Sequence, residues 1–351
     1  MIRSEGAKMV IRLVATYIGA VIGAGFASGQ EILQFFILYG YKGLLGVLVA
    51  TILFAYLGAK VLELSVRLKC SNYQELLAYL LGPWAGSFMD KLSLFMLIGG
   101  LGVMLSGSGA VLQEYMGLPR WIGIGLALVF VIAVIFNGLR GLLAVNVILV
   151  PVKLLAVAII ACLALAFKGL PQNLPVLSGQ GVGGHWLWAS LLYVSFNMVV
   201  PLAVLSSMGR AVSKRVGIYA GLLGGLGLGV AVALVTLAGL AFYPEVAHYQ
   251  VPMLYMASGV SSLLKPVFAI LIWLAIMTTA IANAHGFASR LAPEGGRRYR
   301  VIGVLACFAV LPLTNIGFAD LVKLLYPLFG YAGLLLLAAL LVVPLFKSRI
   351  Y

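Results

Sequence analysis

Gly23-Ala24-Gly25-Phe26-Ala27-Ser28-Gly29, followed by Gln30 and Glu31, stands in the middle of an apolar segment covering residues 9–40. Each glycine in a helix interior costs roughly 1 kcal/mol relative to alanine. In lipid, an opened backbone finds no water to replace a lost hydrogen bond. Non-helical backbone at membrane depth therefore persists only where protein buries it or where it lines a watery cavity. The glycine run predicts a spanning helix interrupted at a binding site.

Composition sets the class. The chain has 351 residues, of which 63% are hydrophobic and 9% charged, whereas soluble domains are about a quarter charged. Apolar runs of about 20 residues, enough to cross a bilayer, recur from end to end. Ten spans are expected, near residues 9–40, 43–66, 87–112, 121–136, 142–167, 185–208, 216–242, 263–288, 301–313 and 321–345. An amphipathic connector at 71–82 precedes the third, and a short helix at 252–257 lies in the loop before the eighth. The first apolar segment is longer than a signal-peptide core and has no small-residue cleavage pattern, so it is expected to remain as a span. Cys70, Cys162 and Cys307 are scattered, which indicates neither a disulfide framework nor a zinc site.

The formal net charge of +14 is a topological signal here rather than a sign of nucleic acid. With the N-terminus inside, Arg3, Lys8, Arg67, Lys69, Arg140, Arg210, Lys214, Arg215, Arg290, Arg297, Arg298, Arg300, Lys347 and Arg349 fall on cytoplasmic ends. Lys42, Arg120, Lys168, Lys265 and Lys323 fall outside. The excess of Lys and Arg inside predicts a multi-pass protein of a prokaryotic cytoplasmic membrane with both termini cytoplasmic.

Ten spans divided at a Pro/Gly-rich external loop, residues 169–184, give a first repeat at 1–168 and a second at 185–351. Five is odd, so the second half runs through the membrane in the opposite sense. Inverted repeats of this kind place their site at the midplane on interrupted helices in matching positions. The sixth span supplies the match in Tyr193-Val194-Ser195-Phe196-Asn197-Met198-Val199-Val200-Pro201. Pro201 removes a donor and crowds the preceding turn, while Ser195 and Asn197 offer polar groups beside it. An ordinary proline kink is the simpler explanation of Pro201 alone; its pairing with the glycine break favours a site.

A broken helix has two electrostatic ends. The inner half, ending near Gly19–Ile22, exposes carbonyls suited to a cation, and the outer half, beginning near Ser28–Gly29, exposes N–H groups suited to a carboxylate. Ser28 and Glu31 fit a capping box on that outer half. Alternatively, Glu31 meets a substrate ammonium or carries a proton, since carboxylates at membrane depth are costly and usually functional. Lys153 lies near the middle of the fifth span, too deep to snorkel comfortably. It serves either as a structural tie, as a fixed cation in place of a metal ion, or as a proton carrier. Thr278 and Thr279, with the Ala275 carbonyl a turn earlier, offer hard oxygen ligands to a small cation, although threonines in helices more often bond their own backbone. His285 has no ligand partner at metal spacing and reads as a packing or gating residue.

The Gly19–Gly29 stretch with Glu31 resembles the first-helix signature of the amino acid–polyamine–organocation superfamily, with its LeuT-type fold. The G-A-G-F-A-S-G-Q-E run and the chain length resemble more closely the YkvI-type membrane proteins. The resemblance covers essentially the whole chain, with specific motifs confined to spans one, five, six and eight. It implies an all-α fold of ten helices in a 5+5 inverted repeat, with helices one and six broken, and an ion-coupled symporter working by alternating access. Its solute would be a small amino acid or amine, and it would need no cofactor and act as no enzyme. It also implies substrate contacts at Gly23, Ala24, Gly25, Phe26, Ser28, Glu31, Ser195, Phe196, Asn197, Met198 and Asn283. A sodium site would fall on the carbonyls of Gly19, Ile22 and Ala275 and the hydroxyls of Thr278 and Thr279. Proton-coupled members place a lysine at the same point, where Lys153 looks similar. An ammonium and a sodium ion would compete for that hole, so H+ and Na+ stand as rival coupling ions. Spore germinant receptors share the fold, which leaves a ligand sensor as the second reading. A metal-ion carrier is disfavoured because the first-helix gap contains neither Asp nor Asn. Ser28-Gly29 stands where the superfamily usually has Pro-Gly. If Ser28 and Glu31 already satisfy the outer half-helix, the gap prefers an amine to a carboxylate.

Overall fold

The computed structural model describes residues 2–137, 140–171 and 181–347, with the side chains of 2–5, 137, 140–148 and 345–347 left aside. The side chains of Arg3, Arg140 and Lys347, the residue Arg349, and the part of the connecting loop at 172–180 therefore fall outside the described residues. Among the described residues every regular element is helical.

The first span is made of α1 (Ile2–Val21), α2 (Ala24–Ser28) and α3 (Gln30–Phe35), closed by a 3-10 turn at Ile37–Tyr39. Then come α4 (Tyr41–Arg67), α5 (Tyr73–Met116), α6 (Arg120–Asn137) and α7 (Arg140–Lys168). The sixth span is α8 (Trp186–Asn197) with α9 (Val199–Ser206), followed by α10 (Lys214–Ala241). A 3-10 turn (Glu245–His248) and the short α11 (Pro252–Val260) lead to α12 (Leu264–Leu291), α13 (Gly296–Ala309), a 3-10 turn (Leu311–Asn315) and α14 (Phe318–Lys347). Seven spans among the described residues are long and apolar enough to cross a bilayer, the sixth counted as one, and α6 is a shorter apolar helix. The broken first span and α13 complete the ten.

Two boundaries differ from expectation. The connector at 71–82 is helical and leads directly into the third span through a kink at its end. Asn72 caps its start by accepting from Glu75 N at 3.0 Å, and Gly82 bends the helix with φ 73° and ψ 176° just before Pro83. The ninth span begins earlier than 301 and ends at Ala309, after which Pro312 falls within a 3-10 turn rather than a continued α-helix.

Small residues set how closely the helices approach. On α10, Gly221 and Gly225 bring their bare faces onto the backbones of Ala59 and Ala55 of α4, and Gly229 onto Thr51. This spacing of four residues makes one continuous stripe, and such stripes let spanning helices pack where lipid supplies no hydrophobic drive. The same interface admits the ring of Tyr17 from α1, which occupies the space left by Gly58 and Gly224. The Tyr17 hydroxyl donates to the Phe54 carbonyl at 2.8 Å and lies 3.3 Å from the Met198 sulfur. One side chain thus joins the first, second and sixth spans.

At the far end of the first span, α11 lies over the break. Pro252 and Met253 pack against Gly29, whose φ of +82° makes it the left-handed turn between α2 and α3. Glu114 of α5 holds the entry to α11, accepting from Gln250 N at 2.6 Å and Val251 N at 3.1 Å. Gln250 in turn accepts from Phe318 N of α14 at 2.8 Å.

Candidate functional site at the broken first helix

The first helix breaks twice. The first interruption, at Ile22–Gly23, ends α1 with free carbonyls; Gly23 is extended (φ −88°, ψ −169°) and its N–H turns back to Val21 O at 2.9 Å. The first bond of α2 runs from Ala27 N to Gly23 O at 3.1 Å, so the N–H groups of Ala24, Gly25 and Phe26 precede the helical ladder. The second interruption is the turn at Gly29. The N–H groups outside the ladder therefore belong to Ala24–Phe26, beginning four residues before the expected start at Ser28.

The capping box takes a different form from the one anticipated. Gly29, not Ser28, is the N-cap residue of α3. Ser28 Oγ donates to Gly25 O at 2.7 Å and accepts from Gln30 N at 3.2 Å, so it spans the turn from the α2 side. Glu31 leaves the first turn of α3 and folds back over α2. Its Oε1 lies against the bare face of Gly25, and the N–H of Phe26 is directed at the carboxylate. Glu31 is 4% exposed, and its Oε2 has no hydrogen-bond partner.

Aromatic rings close around this carboxylate. The Tyr326 hydroxyl of α14 approaches the same face of Gly25. Phe196 packs on Tyr326 with ring centroids 5.1 Å apart, and on Phe35 and Tyr193 at 5.7 Å each. Tyr193 is fully buried, and its hydroxyl is also without a partner. Lys153 of α7 is 5% exposed and lies within electrostatic reach of Glu31. An acidic and a basic side chain thus share one buried region.

The other predicted residues divide between this region and structural duties. Gly25 and the Phe26 N–H touch the Glu31 carboxylate, Ser28 is bonded to Gly25 O, and Phe196 adjoins the region through Tyr326. Ser195 lies 2.7 Å from the Gly330 carbonyl of α14 and 2.9 Å from Leu192 O, which ties α8 to α14. Asn197 Nδ2 donates to Tyr193 O at 3.1 Å within its own helix. Met198 meets Tyr17, and Asn283 packs on Gly100 of α5. The interruption of the sixth span is a single residue, Met198, with αR angles of −82° and −13°. Pro201 is its cause, because it has no N–H for the Asn197 carbonyl; the bonds of Met198 N to Val194 O and of Leu202 N to Met198 O continue on either side. The sixth span is kinked where the first is unwound.

Of the predicted cation ligands, Gly19 packs on Val150 of α7, one turn from Lys153. Thr278 and Thr279 both donate to Ala275 O, at 3.0 and 2.8 Å, the backbone bonding common for threonines in helices. His285 shares a 2.8 Å hydrogen bond with Tyr299 of α13. Tyr193, Tyr326 and Phe35 were not assigned to the site from sequence. Tyr326 precedes Pro327 in an otherwise apolar span, the one local signal that could have drawn notice.

This arrangement can be set beside known proteins. Over 345 residues the chain is 30% identical to the membrane protein YkvI of Bacillus subtilis (strain 168), with 97% of each chain covered. The chain belongs to the YkvI family. A second relative in B. subtilis, YyaD, is 30% identical over 338 residues, covering 94% of this chain and 96% of its own. No protein-family model matches. Among solved structures, the inward-facing conformation of Mhp1 superimposes with a TM-score of 0.60 at 15% identity, over 93% of this chain and 74% of Mhp1. A manganese transporter of Eremococcus coleocola superimposes with a TM-score of 0.52 at 14% identity, over 93% and 76%. At those identities the likeness is one of fold, and the YkvI-family chain is a membrane protein with the LeuT-type fold.

Proposed function

We propose that this YkvI-family protein is an ion-coupled secondary transporter, a symporter that moves a small amino acid or amine-type solute by alternating access. The observation that carries this reading is the doubly interrupted first helix, with the buried pair Glu31 and Lys153 beside it. Unwound backbone and two ionisable side chains at membrane depth are costly, and a solute path with a coupling ion accounts for both. The solute contacts the 23–31 stretch and Phe196, and Lys153 carries the coupling proton. Sodium at Gly19, Ile22, Ala275, Thr278 and Thr279 is the rival, and it would have to draw the Ala275 carbonyl away from two threonine hydroxyls that already bond it. The fold of Mhp1, described as a nucleobase-cation-symport-1 family transporter, supports a transport role. We further assign the chain to a prokaryotic cytoplasmic membrane with both termini inside, on the charge bias of the loops, and divide the repeats at 169–184.

Counterflow in proteoliposomes tests the proposal. Vesicles loaded with unlabelled solute should accumulate label transiently. Saturable binding of a solute with no exchange would instead favour the sensor reading.

A further inference from the structure

Taking the site of the proposed transport as the starting point, we propose that the Glu31 carboxylate, ringed by Tyr193, Phe196 and Tyr326, binds a protonated alkylamine that carries no carboxylate of its own. The first argument is the chemistry of what lacks a partner. Glu31 Oε2 and the Tyr193 hydroxyl have none, and neither do the side-chain oxygens of Gln30 and Gln34 on the same short helix. The two glutamine oxygens and the carboxylate oxygen are acceptors, and the hydroxyl can also accept. A buried acceptor without a donor costs about 1–3 kcal/mol, more when charged. What is absent is a donor, and an ammonium brings three.

The second argument is the wall. Phe196, Tyr193, Tyr326 and Phe35 form one continuous ring cluster beside the carboxylate. Aromatic faces attract cations and give nothing to anions. The third is that the place for a solute carboxylate is partly taken by Glu31. The Phe26 N–H of the interrupted helix is already directed at Glu31, and Gly25 is covered by Glu31 Oε1 and Tyr326. The chain supplies its own carboxylate there, so a solute carboxylate would meet a like charge. Lys153 lies in electrostatic reach but leaves Oε2 without a donor.

The full chain, purified in detergent, is titrated calorimetrically with n-alkylamines of two to six carbons, with norleucine, and with hexanoate. Pentylamine is norleucine without its carboxylate, and hexanoate is norleucine without its amine. Expected is at least one alkylamine binding about tenfold or more tighter than norleucine, with no heat from hexanoate. Glu31→Gln should weaken that amine about tenfold or more, since the amide keeps the shape of the side chain but not its charge. Tyr193→Phe and Phe196→Leu repeat the question if Glu31→Gln folds poorly, each with a loss of about threefold or more.

Norleucine binding as tightly as pentylamine overturns the inference, as does silence from every amine, or undiminished amine affinity in Glu31→Gln. A lower ligand-free melting temperature in Glu31→Gln with amine affinity intact would make Glu31 a structural residue and overturn it too. The transport reading fails separately. Amine-selective binding without counterflow removes transport alone, and norleucine-selective binding with counterflow removes the amine assignment alone.

Discussion

Oε1 of Glu31 and the hydroxyl of Tyr326 meet over the bare α-carbon of Gly25, the hydroxyl 2.9 Å from where a β-carbon would stand. The first and tenth spans are thereby brought together at a point defined by the lack of a side chain. Gly23, two residues earlier, has nothing within 4 Å of its own β-carbon position and an ordinary negative φ.

The two glycines should therefore respond differently to the same change. Gly25→Ala forces Glu31 and Tyr326 apart, an overpacking cost of about 1–3 kcal/mol, and should abolish solute binding. Gly23→Ala meets no neighbouring protein atom and should change stability by less than about 1 kcal/mol. Melting temperature and solute titration of both variants read the difference, and equal effects would count against a close contact at Gly25.

Lys153→Ala removes the cation beside Glu31. Uptake driven by a pH gradient should disappear while equilibrium exchange of solute persists. Accumulation that still follows the pH gradient in this variant would refute Lys153 as the coupling residue.

The rival ion is tested on α12. If sodium occupies the Ala275 carbonyl and the two hydroxyls beside it, Thr278→Ala with Thr279→Ala should weaken sodium-dependent solute binding by about tenfold or more. A parent protein whose solute affinity is indifferent to sodium would dispose of the sodium reading without any variant.

Tyr17→Phe tests the joint between the first, second and sixth spans. The ring remains, but the Phe54 carbonyl loses its 2.8 Å donor. The expected loss is about 1 kcal/mol, read as a lower melting temperature, with the ring packing against Gly58 and Gly224 unchanged.

Glu114→Ala frees two backbone N–H groups at the entry to α11. Residues 250–257 should exchange amide hydrogen faster than in the parent, and α4 and α10 should not change. Uniform acceleration across the chain would show that Glu114 supports the whole fold rather than the loop helix over Gly29.

Much of the architecture follows from local chemistry that a sequence carries openly. Apolar runs of membrane length, the glycines at 23, 25 and 29, Pro201, and the short helix before the eighth span are each written in consecutive residues. Backbone hydrogen bonding in a bilayer leaves helices as the outcome for such runs, so the order of the ten spans was readable. The interruption of the first helix was readable for the same reason. The family could be recognised from the G-A-G-F-A-S-G-Q-E run.

The site itself depends on which faces meet, and that is a property of packing. Ser195 and Asn197 carry the polarity expected of ligands, yet their bonds go to Gly330 and Tyr193. Tyr326 lies 295 positions from Glu31 and has no motif of its own, but the bare face of Gly25 admits both. Glu31 could be a cap or a functional acid on sequence grounds, because either role needs only a carboxylate three residues after Ser28. The turn at Gly29 changed the geometry of the cap: its left-handed backbone makes Gly29 the N-cap of α3 and brings Glu31 against Gly25, with one oxygen buried without a donor. The sequence alone determined that this chain crosses the membrane ten times and opens its first helix. Tertiary structure alone decided which side chains close around that opening, because burial and pairing depend on contacts between spans far apart in the chain.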